Sequence, residues 1–110
     1  MSISLQSPLA DFFKATNARD TEALFALFAP NATVDDEGFQ YKGSDSIRGW
    51  IAETVERFRF NIDVIDASHA AAEQACIIGV VTGDFTGSPV QVRYDFTLDQ
   101  QKIVQLKLGA

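Results

Sequence analysis

The chain is poor in the residues that build metal clips, redox pairs and phosphate cradles. It carries one cysteine, Cys76, and one histidine, His69. A lone thiol excludes an internal disulfide, and with no second thiol or histidine pair neither residue supports a metal centre or a nucleophilic dyad. A reducing compartment, hence the cytoplasm, is the expected location. No glycine-rich loop opens a helix: Gly79, Gly83 and Gly87 fall in strand and turn patterns, so no nucleotide cofactor is expected. Basic residues number 9 against 15 acids, a net charge of −6, and they are scattered rather than striped. Such a surface repels phosphate backbones and anionic lipid, so neither nucleic acid nor a membrane is an expected partner. Long hydrophobic runs are missing as well: no segment approaches membrane-spanning length. Met1 to Ala10 lacks the basic start and apolar run of a signal peptide, and export is not expected.

What is present fits one globular domain over residues 1–110, with 46% hydrophobic and 22% charged residues. Nine phenylalanines dominate the aromatic share, and a side chain without polar atoms belongs in core or pocket wall. Leu5, Leu9, Phe12 and Phe13 recur at helical spacing up to Thr16, with Ser7-Pro8 as cap and first turn. Asn17 to Asp20 breaks that pattern. Asp20 or Thr21 then caps a second helix carrying Leu24, Phe25, Leu27 and Phe28, which Pro30-Asn31 stops. The stretch Asn31 to Gly43 changes the period: Ala32-Thr33-Val34 has strand character, three acids follow, and Gly38 and Gly43 are turn formers. Ser44-Asp45-Ser46 offers capping oxygens for a long amphipathic helix with Ile47, Trp50, Ile51, Thr54, Val55 and Phe58 on one stripe.

From Phe60 the period is two. Phe60 to Ile65 is read as a strand, Asp66 to Gln74 as a polar connection with a turn at its centre, and Ala75 to Phe85 as a second strand. After the turn Gly87-Ser88-Pro89 come Val90 to Leu98 and Lys102 to Leu108, separated by the turn at Asp99-Gln100-Gln101. A helical N-terminal half and an antiparallel C-terminal meander define an α+β fold.

The residues leave several roles open. Asp35, Asp36 and Glu37 are either solvated acids and turn acceptors, or include a carboxylate held in apolar surroundings where desolvation strengthens a base. Tyr94 shares the apolar face of Val90, Val92, Phe96 and Leu98, so its hydroxyl needs a partner: a ligand oxygen, a backbone carbonyl or water. Tyr41 either lids a pocket or covers a helix start. Trp50 is either core or the flat wall of an aromatic cavity, and Phe12, Phe28, Phe58, Phe85 and Phe96 divide between core and pocket lining. Gln91, Arg93, Asp95 and Thr97 form the opposite, polar face of their strand, extended by Gln105 and Lys107.

Asn17-Ala18-Arg19-Asp20 between helices, Phe28 to Val34, Lys42-Gly43 before the long helix, Thr82-Gly83-Asp84-Phe85, Phe96-Thr97-Leu98 and Lys102-Ile103 together resemble the nuclear transport factor 2-like superfamily in its SnoaL-like branch. The resemblance spans nearly the whole chain. It implies a cone-shaped, curved antiparallel sheet wrapped by three N-terminal helices, a cystatin-like roll, and a homodimer through the outer sheet face, where Arg93 would meet Asp95 of a neighbour. It also implies an apolar pocket for a small hydrophobic or aromatic molecule, with Phe12, Phe28, Val34, Tyr41, Trp50, Phe58 and Phe96 as expected walls.

Ala32-Thr33-Val34-Asp35-Asp36 is similar to the first-strand segment of ketosteroid isomerase and places that family's catalytic base on Asp36. The oxyanion-hole tyrosine falls on Phe12, which lacks the hydroxyl, and the aspartic acid partner falls on Tyr94. The resemblance thus implies cofactor-free proton transfer of isomerase or cyclase type, with Asp36 as base and Tyr94 as donor. The alternative is a non-catalytic ligand-binding or dimerisation module whose pocket its own side chains fill.

Overall fold

The computed structural model describes residues 5, 7–56, 60–71 and 73–109, with Glu56 and Ala70 described by their backbone alone. Helix α1 (Leu9–Ala18) begins after Pro8 and ends at Arg19, whose φ of 57° is left-handed and whose N–H caps the carbonyls of Ala15 and Thr16. Helix α2 (Thr21–Ala26) starts as the sequence predicts: the Asp20 carboxylate accepts from the Ala23 N–H at 3.1 Å. It stops earlier than Pro30. Strand β1 (Phe28–Asp36) already runs through Ala29 and Pro30, and the pairing register shifts between Phe28 and Thr33. A proline is tolerated there because the irregular segment asks for no ladder donor.

Strand β2 (Phe39–Lys42) folds back on β1 through Glu37-Gly38, with φ of 51° and 93°. Two consecutive left-handed residues make the two-residue hairpin turn whose twist matches its strands. The four-residue strand was read from the sequence only as turn and loop, since four residues give too short a period to register. Helix α3 (Gly43–Ile51) starts directly after Lys42, and no side chain caps it, so Ser44, Asp45 and Ser46 do not serve as expected. It continues as a π-helical turn, Ala52–Glu56, in which Thr54 Oγ1 donates to the Trp50 carbonyl at 2.8 Å.

Strands β3 (Phe60–Ala71), β4 (Gln74–Gly83), β5 (Val90–Asp99) and β6 (Lys102–Gly109) form the antiparallel meander. The expected turn at the centre of 66–74 is corrected: Asp66 to Ala71 is strand, paired through Ala67–Ile77 and Ser68–Cys76. Register shifts between Val64 and Asp66 and between His69 and Ala71 blur the alternation that would have marked it. The six strands run in the order β2-β1-β6-β5-β4-β3. Because β1 lies parallel to β6, the whole sheet is mixed, curved and open. Among the described residues no helix is long and apolar enough to cross a membrane.

The core lies between the helices and the inner sheet face. Phe12 is its hub: its ring meets Phe13 at 5.0 Å, Phe96 at 5.1 Å, Tyr94 at 6.1 Å and Phe28 at 6.4 Å, all edge-on. At one side of the sheet, β3 is an edge. Its Ile62 N–H donates to Asn17 Oδ1 at 2.8 Å, and Asn17 Nδ2 donates to the Ile62 carbonyl at 2.9 Å. One amide thus takes the place of a neighbouring strand. Arg19 adds bonds to the carbonyls of Phe60 and Val55. Asn17→Ala should lower unfolding stability by about 1 kcal/mol, measured by urea denaturation, with faster hydrogen exchange around residues 60–63.

Candidate functional site

Alternation along β1 separates the three acids that follow Val34. Asp35 points to the outer face, where its Oδ1 accepts from the Gly38 N–H at 3.0 Å and closes the hairpin turn. Asp36 points inward. Glu37, in the turn, is exposed at the rim, and its N–H is tied to the Leu108 carbonyl at 3.0 Å.

Asp36 pairs with Leu108 on β6, and Leu108 with Tyr94 on β5, so acid and phenol stand in one row across three strands. Two strand spacings put their backbones about 10 Å apart. Above that row α3 contributes Trp50, whose Nε1–H donates to Asp36 Oδ2 at 3.0 Å. Trp50 is buried and its ring meets Phe28 edge-on, so the donor is held by packing. The second Asp36 oxygen and the Tyr94 hydroxyl make no hydrogen bond among the described residues. Burial, and then the Asp36 charge, push the Tyr94 phenol well above its ordinary range, so it is a neutral donor at any physiological pH.

These groups border a cavity of about 370 Å³. Its floor is Phe12 and Thr16 from α1; Trp50, Thr54 and Val55 come from α3 and the π turn. The sheet supplies Asp36, Leu108, Val92 and Tyr94, then Val81, Ile62 and Phe60. Glu37 and Phe85 complete the lining. Thr16 and Thr54 spend their hydroxyls on the carbonyls of Phe12 and Trp50, which leaves Asp36, Glu37 and Tyr94 as the polar side chains open to a guest.

Of the expected walls, Phe12 and Trp50 line the cavity. Phe28, Val34 and Phe96 do not: each is buried behind it. Phe28 sits between Phe12 and Trp50, Phe96 lies under Phe12 and Phe13, and Val34 is two residues before Asp36 where α3 covers β1. Tyr41, half-buried opposite Val34 on β2, packs against the core and not the cavity. Phe58 lies outside the described residues. Sequence reasoning missed Phe60, Ile62, Val81, Val92 and Leu108 as lining. Their inward alternation was legible, but the place where the helices stop covering the sheet was not.

On the outer face, Asp35, Lys107, Asp95 and Cys76 form a cross-strand row. Arg93 Nε donates to both Asp95 oxygens at 3.1 Å within its own strand. Burial first, and then Asp95, push the Cys76 thiol up, which leaves it little thiolate and little reactivity. No group of three or more metal-ligating side chains exists among the described residues.

A curved sheet closed over by helices, with an acid facing an apolar cavity, defines a class of small cone-shaped domains. The profile of the SnoaL-like domain matches residues 9–105, and the chain belongs to that family. A solved protein from Sinorhizobium meliloti, provisionally assigned as a polyketide cyclase, is 30% identical over 92% of each chain, with a TM-score of 0.85. One from Catenulispora acidiphila, with a ketosteroid isomerase-like fold and in complex with trimethylamine, is 21% identical over 96% of this chain and 87% of its own, with a TM-score of 0.80. A computationally designed binder of 17-OHP is 17% identical over 96% and 92%, with a TM-score of 0.81. At those two lower identities the likeness is one of fold. No curated protein matches the sequence.

Two measurements test the site as built. A Cβ at Gly79 would come within 2.8 Å of Ile62 Cγ2 and 3.4 Å of the Tyr94 ring, so this glycine lets both side chains lie over β4. Gly79→Ala should cost about 1–3 kcal/mol of stability, read by thermal denaturation. A raised phenol pKa in the folded state means stability that is full below about pH 10 and is lost as pH rises beyond it. The tyrosinate signal that Tyr94→Phe removes should therefore appear above that pH, or only with alkaline unfolding.

Proposed function

We propose that the domain binds a small hydrophobic or aromatic molecule in this cavity and catalyses cofactor-free proton transfer at a carbon next to a carbonyl, of isomerase or cyclase type. The supporting observation is the Asp36 carboxylate, oriented by one hydrogen bond from Trp50 and open to an apolar cavity that is also lined by Tyr94, whose hydroxyl has no hydrogen bond among the described residues. The free Asp36 oxygen takes the proton, the C–H electron pair becomes an enolate, and the Tyr94 O–H donates to the developing oxyanion. Return of the proton from Asp36 to another carbon is isomerisation; attack of the enolate carbon on a second carbonyl, whose alkoxide then takes the proton back from Asp36, is cyclisation. Phe12 in place of a phenol means that one donor, not two, serves the oxyanion.

A second reading, a non-catalytic binder, draws on that same Phe12. A pocket filled by its own side chains is not favoured by an open space of about 370 Å³. The reading includes a homodimer through the outer face carrying Arg93, Asp95, Gln105 and Lys107, and a cytoplasmic setting on the strength of the single cysteine. It includes neither nucleic acid nor membrane, given the net charge of −6.

The test is exchange of α-protons for deuterium in a panel of cyclic and 1,3-dicarbonyl compounds, followed by proton NMR. Exchange should exceed the buffer rate for at least one compound. Asp36→Asn should then lose on the order of 10²–10⁴-fold in kcat, and Tyr94→Phe about 10²-fold. Bound compounds that exchange no faster than in buffer would leave the binder reading in its place.

A further inference from the structure

The charge of the cavity is one-sided. Asp36 and Glu37 face it, and among the described residues none that lines it is a lysine, arginine or histidine. Five of them are aromatic: Phe12, Trp50, Phe60, Phe85 and Tyr94. The nearby cations among the described residues are committed elsewhere. The Arg19 guanidinium sits behind the wall, bonded to the carbonyls of Val55 and Phe60 and stacked over the Phe60 ring at 5.6 Å. Arg93 and Lys107 lie on the outer sheet face, in a groove that Glu37 shares but Asp36 does not. Among the described residues, Asp36 is therefore a half-buried carboxylate with one neutral donor, a second oxygen without a hydrogen bond and no counter-charge in its own cavity.

From this we infer that the guest is a cation: a protonated tertiary amine or quaternary ammonium carried on a compact apolar body. A half-buried carboxylate open to an apolar cavity favours an opposite charge beside it, since few waters compete there. Aromatic rings present their negative faces to an ammonium group and are indifferent or hostile to an anion. The Tyr94 hydroxyl, open to the cavity and without a hydrogen bond among the described residues, accepts from an ammonium N–H as readily as it donates to a carbonyl. The apolar body then lies along Ile62, Val81 and Val92. Carboxylates of the same shape are rejected by like charge at Asp36 and, more weakly, at Glu37.

The inference rests on the cavity being the ligand site, as in the proposed function, but not on proton transfer. It is tested with three benzyl probes: benzyltrimethylammonium, its neutral isostere neopentylbenzene, and the anion phenylacetate. Quenching of Trp50, the sole tryptophan, follows binding directly. The ammonium should bind about tenfold tighter than the neutral probe, with phenylacetate weakest. Asp36→Asn, which keeps an oxygen for Trp50, should bring the ratio of ammonium to neutral affinity close to one, and Glu37→Gln at the exposed turn should lower it less. Added salt should weaken the ammonium alone. A neutral probe that binds as tightly as the ammonium overturns the inference and leaves the cavity reading standing. Failure of all three probes overturns both, and so does a preference for phenylacetate in the case of the cation alone.

Discussion

Because β1 runs parallel to β6, with Asp36 opposite Leu108 and Leu108 opposite Tyr94, the direction of one carboxylate is decided by a pairing between strands some seventy residues apart in sequence. A slip of one residue would send Asp35 inward and Asp36 to water. The hairpin turn at Glu37-Gly38 guards against it from one end, since the Asp35 side chain closes that turn only while it faces outward. The Glu37 N–H bond to Leu108 guards it from the other. The Asp35 side chain and the Glu37 backbone N–H thus hold the register that aims Asp36.

Much of this was readable from residue order. Asp20 as a cap, the period of two from Phe60, and the shared face of Val92, Tyr94 and Phe96 are local patterns, and local patterns survive folding. Residue types alone left three neighbouring acids open, the resemblance singled out Asp36, and the pairing register turns that side chain inward. What escaped reading depends on contacts far apart in sequence. Strand β2 exists because β1 offers an edge; Asp66 to Ala71 is strand because β4 pairs with it despite its polar composition. Val34 and Phe96 are core while Val92 and Leu108 are cavity wall, although all four alternate inward. The helices cover the first pair and leave the second bare.

Phe12 shows how chemistry and packing trade against each other at one position. A hydroxyl there would have to find a partner among four aromatic rings. Without it, the ring packs edge-on with all of them and forms an apolar cavity floor. The polar groups are thereby concentrated at the Asp36, Trp50 and Tyr94 end of the cavity, on a fold shared with solved relatives.

The Asn17 clasp has a consequence for life at high concentration. Strand β3 is twelve residues long and lies at the border of the sheet, yet the side chain at Asn17 occupies only the groups of Ile62. Beyond it the border carries Asp63 and Asp66, with Ile65 49% exposed between them. Two copies meeting border to border would bring like charges together, a repulsion that the amide clasp alone could not supply. Along this side of the molecule the acids, more than the clasp, disfavour pairing with another strand.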